Sequence, residues 1–306
     1  MTPPHPLRLG TRGSPLALVQ ANMVAAALRA AHGWAEDAIA IVPVKTTGDA
    51  VQDRPLAEIG GKALWTKELD RALIDGVIDC AVHSMKDVET IRPQAIRIAA
   101  MLPRADVRDR LIGAESIAAL PQGARIGTSS PRRAAQLRRL RPDVSILSFR
   151  GNVDTRLRKL AEGEADATLL AAAGLERLGR PDIGHAIPLD VMLPAPAQGA
   201  VGIEARTGDA ATLALLATID HEETHACVAI ERAFLAALGA DCHSPVAALA
   251  VREGGRLSLR GQLLSEDGTF AVDGHRVPAG PAEAAELADW LLGQAPPSIS
   301  RLFSGR

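Results

Sequence analysis

Over the first two-thirds of the chain, short apolar runs of strand length alternate with stretches in which apolar residues return at helical spacing. Leu7–Gly10 is the first such run. It leads through Thr11-Arg12-Gly13-Ser14-Pro15 into a helical pattern over Leu16–Ala31. Ser14 suits an N-cap, and Pro15 suits the first helical position, where a missing N–H costs nothing. Ala124–Gly127 repeats the arrangement, passing through Thr128-Ser129-Ser130-Pro131 into a helix over Arg132–Leu140. A second pair of segments, Gly76–Val82 and Gly163–Leu169, aligns without gaps, each after a helical pattern (Thr66–Ile74 and Thr155–Ala161). Two strand–Ser-Pro–helix units in an alternating βα order predict a duplicated α/β lobe with mostly parallel sheets.

The grammar changes after about residue 218. Asp220 opens a helix through Leu238, with Glu223 as its capping-box partner. Val246–Arg252, Leu257–Leu264 and Phe270–Val277 then read as strands joined by tight glycine turns, which favour antiparallel pairing. A helix over Pro281–Leu292 closes a small α+β domain, and the tail Pro296–Arg306 is expected to be loose.

Composition narrows the function classes. The 306 residues are 47% hydrophobic, enough for a large core, and 34 Lys+Arg against 36 Asp+Glu leave a net charge of −2. Near-neutral charge together with 2% aromatics argues against a nucleic-acid binder. Three cysteines are too few for a disulfide framework and suit a reducing compartment. The opening Met-Thr-Pro-Pro-His-Pro lacks the pattern of a signal peptide, and no run reaches the roughly 18 apolar residues of a spanning helix. A cytoplasmic protein is the expectation.

The densest chemical signal is cationic. Arg132 and Arg133 fall in the first turn of their helix, where cations oppose the helix dipole, so an anion is expected to compensate. Arg138, Arg139 and Arg141 read instead as a solvated basic face. Arg12 beside Ser14 echoes the arrangement in the first lobe. Lys86-Asp87 follows a buried strand, at the end where α/β sheets bind ligands. On spacing alone it supplies a cation and a carboxylate to a site, or is a surface ion pair. His221-Glu222-Glu223-Thr224-His225 matches a zinc-protease pattern, but both histidines fall in the exposed first turns and no third ligand is suggested. Cys80 and Cys227 read as core; Cys242, in the polar loop Gly239–Pro245 beside His243, is a nucleophile, an attachment point or an ordinary loop thiol.

Taken together these stretches resemble the porphobilinogen deaminase (hydroxymethylbilane synthase) family. The resemblance rests on Thr11–Leu18, Gly60-Gly61-Lys62, Ala81–Val88, Gly127–Ser130 with Arg132-Arg133, Arg150–Val153 through Leu157, Ala172–Gly179, Pro194–Ala200, Glu231–Leu235 and Cys242, in family order over about residues 7–290. It implies an α/β fold of two similar periplasmic-binding-protein-like lobes plus a small α+β C-terminal domain. The lobes would comprise 1–101 with 199–218, and 102–198, with crossings near Ala99–Pro103 and Gln198–Gly202; the third domain, 219–306, would carry the cofactor cysteine.

The implied reaction joins four porphobilinogen molecules into hydroxymethylbilane, releasing ammonia at each addition, on a dipyrromethane cofactor held by a thioether to Cys242 and itself made from substrate. No metal is implied. The growing chain is a polyanion, which arginine forks can neutralise with geometric specificity. By matching position, Lys86, Asp87, Ser130, Arg132, Arg133 and Arg156 hold the cofactor or growing chain. Arg12, Ser14, Arg150, Arg156 and Arg177 bind incoming carboxylates, with Gln20, Lys62 and Gln198 as second-rank candidates. Asp87 is the catalytic carboxylate, stabilising the cationic azafulvene left when ammonia departs. A monomer acting on a small molecule, with no nucleic acid or membrane partner, is expected.

Four positions depart from the family pattern. Asp241 replaces a small residue before Cys242 and adds negative charge beside a thiol that must be alkylated. Pro131, Trp65 and Glu89 replace Leu, Phe and Pro without removing a chemical group. A two-lobed anion receptor without catalysis is the main rival, and only the enzyme needs both Asp87 and a modified Cys242.

Overall fold

The computed structural model describes residues 5–45 and 66–303. Gly60-Gly61-Lys62 and Trp65 lie outside the described residues. The chain divides into two compact units, Met1–Ala105 with Gly199–His225, and Asp106–Gln198 with Ala226–Arg306.

The first unit is built on a five-stranded sheet. Its strands are β1 (Leu7–Arg12), β2 (Ile39–Val44), β3 (Cys80–Ser84), β4 (Ile96–Met101) and β10 (Val201–Arg206), in the order β2-β1-β3-β10-β4. β1 runs parallel to β2 and β3, whereas β10 is antiparallel to β3 and β4. Helix α1 (Pro15–His32) starts as its sequence dictates: Ser14 Oγ accepts the Ala17 N–H at 3.4 Å, and Gly33 ends it at φ 65°. Its apolar stripe of Ala21, Val24, Ala25 and Leu28 is sealed against Leu7, Leu9, Val82 and Ile203. Helix α2 (Lys67–Ile74) buries Leu69 and Leu73 against Ile78, Ala81 and Ile96. Helix α6 (Ala210–Ala217) adds Leu216 to the α1 cluster.

The second unit repeats that sheet. Its strands are β5 (Asp109–Ile112), β6 (Arg125–Gly127), β7 (Ser145–Leu147), β8 (Ala167–Ala171) and β9 (His185–Ala186), in the order β7-β6-β8-β5-β9. β6 is parallel to β7 and β8, and β5 is antiparallel to β8 and β9. Strand for strand this is the order and sense of the first sheet, so the duplication expected from the Ser-Pro segments is present in the topology. Helix α3 (Pro131–Leu140) buries Leu137 against Ile126, Ala167 and Leu169. Helix α4 (Val153–Ala161) begins before the expected Thr155, because Asn152 is its N-cap and accepts the Thr155 N–H at 2.9 Å. A short helix, α5 (Ala172–Arg177), follows β8.

Also in this unit, β11 (Val246–Glu253), β12 (Arg256–Leu264) and β13 (Ala271–Arg276) form an antiparallel meander. Helix α7 (Glu222–Leu238) contributes Cys227, Ile230, Phe234 and Leu238, and α8 (Pro281–Gln294) contributes Leu287 and Leu291, to one core with Leu259 and Leu263. Two expectations are corrected here. The tail is not loose up to Phe303: helix α9 (Pro297–Ser300) and the turn after it carry Ile299 and Phe303 into that core at an i, i+4 spacing. Asp220 does not cap α7. Its carboxylate accepts the Met101 N–H at 2.8 Å, and the Thr224 N–H goes to His221 Nδ1 at 3.2 Å.

Candidate active site

In the first unit the sequence candidates stand at the carboxyl ends of parallel strands. β1 ends at Arg12 and passes through Ser14 into α1; β3 ends at Ser84 and turns at Met85–Asp87, which places Lys86 and Asp87, both half-buried. The register Leu9↔Cys80 and Gly10↔Ala81 puts these two ends on one edge of the sheet. Gln20 ties them together: it is buried on α1 and its Nε2 donates to Ser84 Oγ at 2.8 Å. Met85 anchors the turn, buried against Gly202 of β10, where a Cβ would lie 2.0 Å from its sulfur.

A buried ionic cluster stands behind this edge, and it was not legible in the sequence. Arg92 donates to both oxygens of Glu204 at 2.7 and 2.9 Å, to Glu89 at 3.1 Å, and to Asp70. His83, on β3, has Nε2 3.2 Å from Glu204 Oε2. Burial pushes the Glu204 carboxyl up, but His83 and Arg92 more than reverse this and hold it at about 2. Asp70 and Glu89 go the other way: desolvation raises both, in excess of what Arg92 returns.

The second unit holds its candidates at the equivalent edge. Ser130 follows β6 and caps α3, accepting the Arg133 N–H at 3.4 Å. Arg132 and Arg133 are only 3% and 5% exposed. The anion that offsets them is a residue that sequence reading missed, Asp109 on β5. Its two oxygens accept from Arg132 Nη2 at 2.8 Å and Arg133 Nη2 at 2.6 Å. Burial alone would raise the Asp109 carboxyl, yet the two guanidinium groups hold it far below the usual carboxylate range. Arg132 also donates to Gln136 and the Leu193 carbonyl, and Arg133 to the Leu169 carbonyl. Two guanidinium groups thus share one carboxylate. Arg132 Nε, Arg133 Nε and Arg150 Nη1 are buried with no hydrogen-bond partner among the described residues.

Arg150 follows Phe149 after β7; Arg156 lies on α4, with Nε donating to the Gly151 carbonyl at 3.0 Å; Arg177 ends α5, where burial lowers its pKa. Gln198 is fully buried, and its Nε2 donates to the Val107 carbonyl at 2.8 Å and Asp109 at 2.9 Å. Arg139 is exposed, Arg138 donates to the Glu266 carbonyl, and Arg141 pairs with Asp143.

Cys80 and Cys227 are buried, whereas Cys242 is exposed. The turn around Cys242 is shaped by Asp241, whose carboxylate accepts the His243 N–H at 2.8 Å and contacts Ser244 Oγ at 3.4 Å. His225 Nδ1 lies 2.9 Å from Asp220, and His221 Nδ1 lies 2.9 Å from Thr224 Oγ1. Among the described residues no group of three or more His, Cys, Asp or Glu is arranged to hold a metal ion, and no helix is long and apolar enough to cross a membrane.

Comparison with known proteins decides the family. Residues 7–214 match the model "Porphobilinogen deaminase, dipyromethane cofactor binding domain", and residues 225–291 match "Porphobilinogen deaminase, C-terminal domain". The chain belongs to the porphobilinogen deaminase family. A porphobilinogen deaminase of Sphingopyxis alaskensis is 61% identical over 99% of this chain and 98% of its own. One of Paracoccus denitrificans is 52% identical over 96% of each. Among solved structures, immunogenic lipoprotein A from Vibrio vulnificus is similar over 72% of this chain and 96% of its own, at 14% identity and a TM-score of 0.43. The chain is a transferase of tetrapyrrole biosynthesis that polymerises porphobilinogen head-to-tail into hydroxymethylbilane with release of ammonia, and its cofactor is dipyrromethane.

Proposed function

We propose that this activity is carried by the residues at the two carboxyl edges together with Cys242. The observation that supports the reading best is the buried Arg132–Arg133 pair, which shares a single carboxylate and keeps buried N–H groups without partners. Such a pair calls for a further anion, and dipyrromethane carries acidic side chains, so the residues present fit it. Ser130, Arg132, Arg133, Arg156, Lys86 and Asp87 hold the cofactor and the growing chain. Arg12, Ser14, Arg150, Arg156 and Arg177 take the carboxylates of incoming substrate, and Gln20, Lys62 and Gln198 assist.

Cys242 would hold the cofactor as a thioether, its Sγ–C bond to a substrate methylene replacing the C–N bond and the thiol proton leaving on ammonia. Its exposure on a polar turn is what such a nucleophile needs. When bound, dipyrromethane supplies the pyrrole carbon that begins the chain. Asp87 stands where its carboxylate can offset the positive charge that develops on substrate as ammonia departs, and can take up a proton at a pyrrole nitrogen. The protein works as a cytoplasmic monomer without nucleic-acid or membrane partners; three cysteines that form no disulfide and a near-neutral charge support that reading. Residues 219–306 act as a third domain carrying the cofactor cysteine.

The test is Asp87→Asn. The amide is nearly isosteric and cannot offset a cation, so circular dichroism stays normal while single-turnover ammonia release, measured on protein whose mass shows the cofactor in place, slows by about 10²–10⁴. A near-normal rate would reduce Asp87 to a structural neighbour of Lys86.

A further inference from the structure

We propose that Glu231 is a positioning residue for the Arg132–Arg133 pair, acting through the strained Ala197 peptide, Gln198 and Asp109. Glu231, on α7, is 0% exposed, and each of its oxygens accepts a backbone amide. Oε2 accepts the Ala197 N–H at 2.5 Å, and Oε1 accepts the Ala250 N–H at 2.7 Å. A buried carboxylate needs hydrogen-bond donors in place of its lost hydration, and these two amides are among them, so Glu231 joins a loop to a strand. Its distinctive effect is on Ala197, the one non-glycine residue with positive φ, at 61°, among the described residues. An L-residue there costs roughly 1–2 kcal/mol, so the conformation persists only because the amide is anchored.

What that conformation orients is Gln198. Its side chain is sealed from solvent and donates to Asp109 Oδ1 at 2.9 Å, the same oxygen that accepts from Arg133 Nη2 at 2.6 Å. The other Asp109 oxygen holds Arg132. A charge on α7 thereby fixes, through one backbone unit and one amide, the carboxylate that aims both guanidinium groups. Glu231 touches no reacting atom. Its role rests on the reading that Arg132 and Arg133 hold the cofactor.

The experiment follows cofactor loading of the full chain, prepared cofactor-free and mixed with porphobilinogen, by the time course of intact mass. In Glu231→Gln the carbonyl can still accept one amide, but the new NH₂ faces the other. Loading slows about tenfold, the factor that corresponds to one lost charge-assisted hydrogen bond. Gln198→Leu, with Glu231 intact, slows it similarly and, in a Cys242→Ala background that takes no cofactor, lowers the thermal midpoint as Asp109 loses its Gln198 donor, a shift that loss of a substrate contact alone would not produce. Adding Ala197→Gly to Glu231→Gln restores most of the rate, because glycine adopts positive φ without an anchor. Leu287→Ala, a truncation in the same core as α7, lowers the thermal midpoint and leaves the loading rate alone.

Wild-type loading in Glu231→Gln, or failure of Ala197→Gly to restore it, overturns the proposal. If Glu231→Gln does not fold, Gln198→Leu decides: slow loading supports the relay, and wild-type loading overturns it. Arg132→Leu separates the two levels. Normal loading there overturns the arginine reading itself, whereas slow loading there beside normal loading in Glu231→Gln overturns only the relay.

Discussion

Replacing Asp109 with Asn tests the electrostatics of the arginine pair directly. The side chain is 1% exposed, and its oxygens lie 2.8 and 2.6 Å from guanidinium nitrogens whose own side chains are 4% and 6% exposed. Asn keeps the shape, but it removes the only carboxylate paired with either arginine among the described residues and turns an NH₂ toward one of them. Removing one partner of a buried ion pair typically costs about 3–5 kcal/mol. At about 2–4 °C per kcal/mol for 150–250 residues, the thermal midpoint should fall by roughly 10 °C.

The pH dependence gives a second signature. The folded pKa of Asp109 is depressed, so its stabilisation is fully present above the unfolded value and is lost as pH falls toward the folded one. The gap between wild type and Asp109→Asn should therefore be constant from pH 7 to about 5 and narrow by about 1.4 kcal/mol per unit below about pH 4. The assay is thermal and urea unfolding in a Cys242→Ala background, so that no cofactor contributes. A gap under about 1 kcal/mol at pH 7, or one that does not narrow in acid, would refute the pairing.

Two further substitutions probe the edges of the sheets. Gly127→Ala would place a Cβ 2.3 Å from the buried Phe149 ring, which precedes Arg150. Such overpacking should cost about 1–3 kcal/mol in urea unfolding and raise KM for porphobilinogen; wild-type stability would contradict the packing described. Glu89→Gln removes a carboxylate that burial and the neighbouring Asp70 and Glu204 push upward in pKa. A raised carboxyl pKa favours the folded state below the unfolded value and loses that contribution as pH rises, so at pH 7 the variant should unfold no earlier than wild type, and later if the crowding dominates. A clear drop in its thermal midpoint would show that the Arg92 pair outweighs the crowding.

Much of the fold could be read locally. Ser14-Pro15 and Ser130-Pro131 announced two helix starts, and the same two segments announced a duplication that the sheet orders repeat strand for strand. Capping works over three or four residues, so a single sequence carries it. What was missed is long-range. Nothing in Arg108-Asp109-Arg110 distinguishes a buried carboxylate from a charged surface run; only pairing β5 beside β8 brings Asp109 to Arg132 and Arg133. Arg92 and Glu204 meet across 112 residues. Ile299 and Phe303 did carry a signal, an i, i+4 apolar pair, but it was too short to outweigh the polar tail around it. An anion was expected beside Arg132 and Arg133, and the one the structure places there is the protein's own Asp109.

The most direct measurement is the intact mass of the purified full-length protein beside its Cys242→Ala variant, with Cys80 and Cys227 buried as internal controls. The wild-type chain should be heavier than its sequence by one dipyrromethane unit, and Cys242→Ala should have the bare mass with an unchanged circular dichroism spectrum and no polymerising activity. An unmodified wild-type chain that turns over porphobilinogen at full rate, or an adduct retained in Cys242→Ala, would contradict the assignment.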